Sequence, residues 1–192
     1  MPYPTQITRE SVIQKAAELV EQEGVEQLSL GKLATALGVK APSLYRYVNN
    51  KDALLQAVNL QTIQDLFTAY EQALANAGGG AEEQLTAVFQ AHRTFAHSHP
   101  QCYMLALANP NDAQRPNEDI LTQMVLPIQA IVADIAGEAN ALAALRGALA
   151  LVHGFVMLEL NNQLRRGGDL TADFTQSLTA YIRGWRSVNG NP

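Results

Sequence analysis

Apolar residues recur along this chain at intervals of three and four, the period of an α-helix. No stretch shows the convincing period-two alternation of a half-buried strand. The pattern predicts an all-α protein of about nine helices. Thr8 is placed to cap a first helix running to about Glu23, with Ile7, Val12, Ala16, Leu19 and Val20 on or beside its apolar stripe and Gly24 as its stop. Ser29 is placed to cap a short second helix, with Leu30, Leu33, Ala34 and Leu37 inward and Gly38 ending it. A third helix is expected from about Ala41 to Val48, then an Asn49-Asn50 turn. A long fourth follows from Lys51 to about Asn76.

Gly78-Gly79-Gly80 breaks the chain. No strand precedes it and no lysine follows, so it reads as a helix connector rather than a phosphate-cradling loop. Further helices are expected at about 81–98, 118–136, 139–164 and 171–186, with a short apolar segment at 101–108. The polar loop 109–119 is expected to be exposed and mobile. The helix at 139–164 has only Arg146 and Glu159 as formal charges, so it should be buried on several sides. Its small residues Ala143, Gly147, Ala150 and Gly154 share one face. The last helix carries Phe174, Leu178, Tyr181, Ile182 and Trp185 on one side. That is more apolar surface than one subunit readily hides, which predicts a homodimer joined through Ala143, Gly147, Ala150, Gly154, Leu178 and Trp185.

Charge changes the picture in one place. The net charge is −5, yet residues 29–51 contain Lys32, Lys40, Arg46 and Lys51 and no acid, a local +4 in an acidic chain. Phosphate binding is local and driven by counterion release, so this island outweighs the total. Wound at 100° per residue, the third helix sets Ala41, Leu44, Tyr45 and Val48 on one face and Lys40, Ser43, Arg46 and Tyr47 on the other. The first face suits a core and the second an anionic partner. The polar N-terminus shows no signal peptide. The longest uninterrupted apolar run, between Arg146 and Glu159, is too short to span a bilayer. Cys102 stands alone, so no internal disulfide forms. These features predict a cytoplasmic protein that does not enter membranes.

Two short helices joined by Leu37-Gly38-Val39-Lys40 make a helix-turn-helix, whose second helix would enter a major groove. The stretch AAELVEQEGVEQLSLGKLATALGVKAPSLYRYVNNKDALL resembles the DNA-binding domain of the TetR family of bacterial repressors over roughly residues 8–55. RTFAHSHPQCYMLAL and LRGALALVHGFVMLEL resemble the ligand-binding half of the branch described by a Trp-His-Gly motif, although Val152 stands at the tryptophan position. The resemblance implies that Ser29 and the first turn Lys40, Ala41, Pro42 and Ser43 lie at the DNA, with Tyr45, Tyr47 and Lys51 near phosphates. Tyr45 would then have a packed ring and its hydroxyl at the DNA surface. Arg46 is the candidate for a bidentate guanine contact, against the plain reading of a solvated arginine. Gly31 and Leu30 stand where some relatives carry polar side chains, which implies less base readout from the second helix.

Other chemistry is sparse. His92 and His97 lie about 140° apart on a helix, and with one cysteine available no metal site is expected. No carboxylate pair, Ser-His-Asp set or cofactor loop stands out, so neither a catalytic residue nor a cofactor is expected. His153 and Met157 neighbour one another on the apolar helix. Their plain reading is a satisfied core histidine beside a packing methionine. The resemblance favours an effector cavity, lined by Phe67, Phe89, His92, Tyr103, Met124, His153 and Met157. The resulting expectation is a helix-turn-helix domain at 1–50 and a helical effector-binding and dimerisation domain at 51–192. Together they would form a transcriptional regulator released from a palindromic DNA operator by a small molecule. The competing reading is a helical ligand-binding or scaffold protein that has lost DNA binding. A small helical enzyme is disfavoured by the missing catalytic constellation.

Overall fold

The helix boundaries follow the capping residues. In a computed structural model that describes residues 7–109 and 111–190, α1 spans Arg9–Glu23 behind a reciprocal cap: Ser11 N–H donates to Thr8 Oγ1 at 3.2 Å and Thr8 N–H to Ser11 Oγ at 3.0 Å. Gly24 ends it at φ 85°. Ser29 caps α2 (Leu30–Ala36) by accepting from Lys32 N–H. Gly38, at φ 69°, closes α2 with a pair of bonds, Val39 N–H to Ala34 O and Gly38 N–H to Thr35 O. That left-handed turn suits glycine because it has no Cβ to clash. Asn50 Oδ1 accepts from Ala53 N–H at the start of α3 (Lys51–Asn76). Then come α4 (Ala81–Ser98), α5 (Pro100–Leu107), α6 (Glu118–Ala136), α7 (Ala141–Leu160) and α8 (Leu170–Val188). Three 3-10 helices, Val25–Gln27, Ala41–Arg46 and Asp112–Gln114, complete the described residues, in which no strand occurs.

The contacts divide the chain into two compact units. The first runs through Asp65 and takes in His99–Asn117; the second comprises Leu66–Ser98 and the chain from Glu118 onward. The sequence suggested a boundary at 50/51, where the motif ends. The first unit extends further because α5 and residues 109–117 return to α1 and to the N-terminal half of α3. Its core joins Val12, Ala16 and Val20 of α1, Leu33 of α2, Leu44, Val48, Leu54 and Val58, with Cys102 and Leu105 from α5.

In the loop expected to be exposed, Asn111, Asp112, Ala113, Arg115 and Asn117 are so, but Gln114 and Pro116 are buried. Gln114 is only 8% exposed. Its carbonyl accepts from Asn59 Nδ2 at 2.8 Å, its Nε2 donates to Asp52 Oδ1 at 2.8 Å, and its Oε1 accepts from Asn109 Nδ2 at 2.6 Å. Gln56 Nε2 also donates to the Arg115 carbonyl. Polar side chains here satisfy backbone and amide groups of the first unit, so the composition of the segment says nothing of its fixation.

In the second unit α4, α6, α7 and α8 pack on one another. An ion-pair cluster ties three of them: Arg93 donates to both Glu159 carboxylate oxygens (2.9 and 2.6 Å) and to Thr171 Oγ1, and sits over the Phe174 ring, while His97 Nε2 lies 3.0 Å from Glu159. By length and composition alone α6 and the segment 138–160 are apolar enough to cross a bilayer. An uninterrupted-run criterion misses both, because isolated charges and polar residues break the run without much lowering the mean hydropathy.

Candidate nucleic-acid interface and effector residues

The segment expected as a third α-helix is instead a 3-10 helix over Ala41–Arg46, with Pro42 in its first turn. At three residues per turn, positions i and i+3 eclipse. Ala41, Leu44 and Tyr47 therefore share the inner face, and the two tyrosines exchange the places that 100° winding gives them. Tyr47 packs against the core, and its hydroxyl donates to the Ile7 carbonyl at 2.8 Å. Tyr45 is 57% exposed, so its ring is not packed. The Arg46 guanidinium lies 5.7 Å from the centre of the Tyr47 ring, over its face. A ring fixed at its hydroxyl thus restrains an exposed arginine.

Lys40, Pro42, Tyr45, Arg46 and Ser29 are exposed, and Ala41, Ser43 and Lys51 are half-buried. Lys51 Nζ donates to the Val25 carbonyl at 3.3 Å, which anchors the first turn of α3 to the α1–α2 connection. Lys32 pairs with Glu23 of α1, so one of the four cations in the acid-free island has an internal counter-ion. What remains is a solvent-facing edge carrying two cations, a phenol and a hydroxyl beside a third cation in the first turn of α3. Such a set can neutralise phosphates and donate to base edges.

The seven residues expected around an effector divide. Tyr103 belongs to the first unit and is fully buried; burial pushes its phenol pKa up. Phe89 and His92 are buried in the second unit, where Phe67, Met124, His153 and Met157 are half-buried. His92 Nδ1 lies 2.5 Å from Tyr70 Oη, with the rings stacked at 6.0 Å, and Phe67 meets Tyr70 edge-on at 5.0 Å. Burial, and then the charge of His153 nearby, lowers the His92 pKa to about 4. Burial also lowers His153. Both imidazoles are therefore neutral at pH 7, and Tyr70 joins a cluster from which the sequence reading omitted it. Its spacing from Phe67, i+3 on one helix, is the signal that was there to be read.

The small face of α7 is not uniformly open. A Cβ on Gly147 would lie 2.3 Å from Tyr181 Oη, and that hydroxyl donates to the Ala144 carbonyl at 2.6 Å. Gly147 thus admits a side chain of its own subunit. Leu178 is 0% exposed and offers no surface to a partner. Trp185 is half-buried, edge-on to Tyr181. The uncovered face of α7 instead carries Leu142 and Leu149, 47% and 50% exposed, beside Ala143, Arg146 and Ala150.

Residues 12–58 match the family described as bacterial regulatory proteins, tetR family, and residues 85–181 match a tetracyclin repressor-like C-terminal domain. An uncharacterized HTH-type transcriptional regulator of Mycobacterium tuberculosis is 32% identical over 160 residues, covering 82% of this chain and 72% of the relative. A TetR variant from Acinetobacter baumannii, solved with minocycline, shares the fold at TM-score 0.70 and 22% identity, over 96% of this chain and 99% of that one. BioQ, solved with its double-stranded DNA operator, superposes at TM-score 0.67 and 23% identity, over 95% and 99% of the two chains; a BioQ structure is also known from Mycobacterium smegmatis. With its helix-turn-helix, its all-helical second unit and matches across both halves, this chain belongs to the TetR family and is a DNA-binding transcriptional regulator.

Proposed function

We propose that the protein is a cytoplasmic, homodimeric repressor that holds a palindromic operator through residues 29–51 and releases it when a small molecule binds among residues 52–192. The observation that carries this reading is the exposed edge of Lys40, Pro42, Tyr45 and Arg46, set on a 3-10 turn whose other face is core. Arg46 reads a guanine, while Tyr45 and Lys51 hold phosphates. Two copies joined through the uncovered leucines of α7 would present two such edges. A palindrome requires their centres to match successive major grooves, about 34 Å apart.

The effector enters by its preference for the conformation that cannot span that distance; a 100-fold preference corresponds to roughly 2.7 kcal/mol. The half-buried His153, beside the neutral Tyr70–His92 pair, is its anchor in this reading. The two structural neighbours, one solved with a DNA operator and one with minocycline, support the two halves of the reading by analogy.

Selection of duplexes from random sequence by the purified protein tests it. Enrichment of an inverted repeat with half-sites one helical turn apart is expected, and failure to enrich any sequence overturns the operator assignment. A ligand that co-purifies or is found by screening then tests the anchor. His153→Leu should keep operator binding and lose release by that ligand, whereas unchanged ligand affinity removes His153 from the site.

A further inference from the structure

The N-terminus of α5 is capped from far away in the chain. Pro100, the first residue of α5, has no N–H, and His99 at the cap position makes no side-chain capping bond to the helix. The next two backbone donors, Gln101 N–H and Cys102 N–H, both go to Glu21 in the last turns of α1, to Oε1 and Oε2 respectively, each at 3.1 Å. One carboxylate thus satisfies two donors of a helix eighty residues later, at the end where the helix dipole favours negative charge. Beside it, the Cys102 thiol is directed at the Ala17 carbonyl at 3.5 Å. Cys102 and Leu105 then complete the core that also seats Leu44 and Val48 beneath the exposed edge.

We infer that Glu21 is a positioning residue for DNA binding: it locks α5 against α1, and the lock holds the operator-reading edge in its binding geometry. The consequence follows from chain connectivity. Only His99 separates Ser98, the last residue of α4, from α5, so the helix end that Glu21 grips is also the covalent junction with α4. To move, α5 must either break both bonds or drag α1, and with α1 the core under Leu44. This inference rests on the DNA-binding role already assigned and adds the part of the molecule that makes that role conditional.

The sign of one substitution separates positioning from simple charge. Glu21→Gln removes a negative charge from the DNA-binding unit, which by electrostatics alone strengthens binding to a polyanion. It also replaces one accepting oxygen with an amide that cannot accept, so the lock is half lost. The positioning role therefore predicts weaker binding, by roughly tenfold, against a duplex selected by the wild type. Cys102 supplies the second readout. Its burial pushes the thiol pKa up to about 12, so it reacts slowly with iodoacetamide while α5 stays docked. Alkylation should accelerate in Glu21→Gln, and saturating duplex should slow it in the wild type. Glu18→Gln, at a half-buried residue paired with Lys15, is the charge control: it should leave alkylation unchanged and bind duplex as tightly as the wild type or slightly tighter. Unchanged or tighter duplex binding by Glu21→Gln overturns the inference, as does weaker binding without faster alkylation. If the variant does not fold, the wild type alone decides: duplex that leaves Cys102 alkylation unaltered overturns it. Failure of the wild type to bind any duplex counts against the DNA-binding role itself.

Discussion

The hydroxyl of Tyr47 donates to the carbonyl of Ile7 across forty residues of sequence, at 2.8 Å, and so ties the end of the 3-10 segment to the residue before the cap of α1. Tyr45, two residues earlier, faces solvent. The two tyrosines therefore have separable roles. Tyr47→Phe removes one half-buried hydrogen bond and should cost about 1 kcal/mol of stability, with a lower Tm. Tyr45→Ala should leave the melt unchanged and weaken operator binding. Paired thermal melts and duplex titrations check both, and a reversed pattern would return the segment to α-helical winding.

Arg46 and Lys51 should fail differently. Arg46→Ala should cost roughly 1–3 kcal/mol and relax the base preference at one position per half-site. Lys51→Ala should weaken all sequences alike and lower the slope of log affinity against log salt by about 0.9 per subunit. Titrations of a selected duplex and a scrambled one over a salt series distinguish the two. Wild-type affinity in both variants would remove the interface from residues 29–51.

Gly147 is set by Tyr181. Gly147→Ala gains about 1 kcal/mol of helix propensity but places a methyl group against the Tyr181 hydroxyl, and overpacking costs typically 1–3 kcal/mol. Net destabilisation is expected in the wild-type background. In a Tyr181→Phe background the 2.3 Å contact disappears and the ring carbon at 3.2 Å remains, so the same change should cost less there than in the wild type. A double-mutant cycle by denaturant unfolding measures the coupling; additive effects would mean that the two residues do not touch.

Stability should fall on acidification because His92 is held neutral. Its pKa is lowered from 6.5 to about 4 in the folded protein, so between those values the unfolded chain binds more protons. The contribution is complete above about pH 6.5 and is lost as pH falls towards 4. It amounts to roughly 3 kcal/mol for a shift of this size. The nearby His153, also lowered, adds in the same direction. Urea unfolding across this range should show the slope, and His92→Gln should flatten it. An equally steep profile in His92→Gln would assign the acid sensitivity elsewhere.

Leu149 tests the assembly. Its exposure on α7, next to Leu142, makes Leu149→Arg a surface change for an isolated chain and a buried charge for a dimer joined there. Light scattering should report a dimer for the wild type at micromolar concentration and a monomer for the variant, with an unchanged helical spectrum. A dimeric Leu149→Arg protein would place the interface on another face.

The sequence by itself determined the ends of α1 and α2, the start of α3, and the family. Thr8, Ser29, Asn50, Gly24 and Gly38 act on the backbone within a turn of themselves, and an apolar stripe needs only its own spacing. Tertiary structure decided what those helices face. Periodicity cannot distinguish 100° from 120° winding over six residues, so the places of Tyr45 and Tyr47 followed from how Leu44 and Tyr47 meet the core. A glycine that opens a helix face looks the same whether the visitor is a partner or, as at Gly147, the subunit's own tyrosine. Polar residues at 109–117 read as a solvated loop until Asn59, Gln56 and Asp52 are brought to them. Glu21 carries no local signal at all, because the two amides it holds lie eighty residues away and meet it only when α5 folds back on α1.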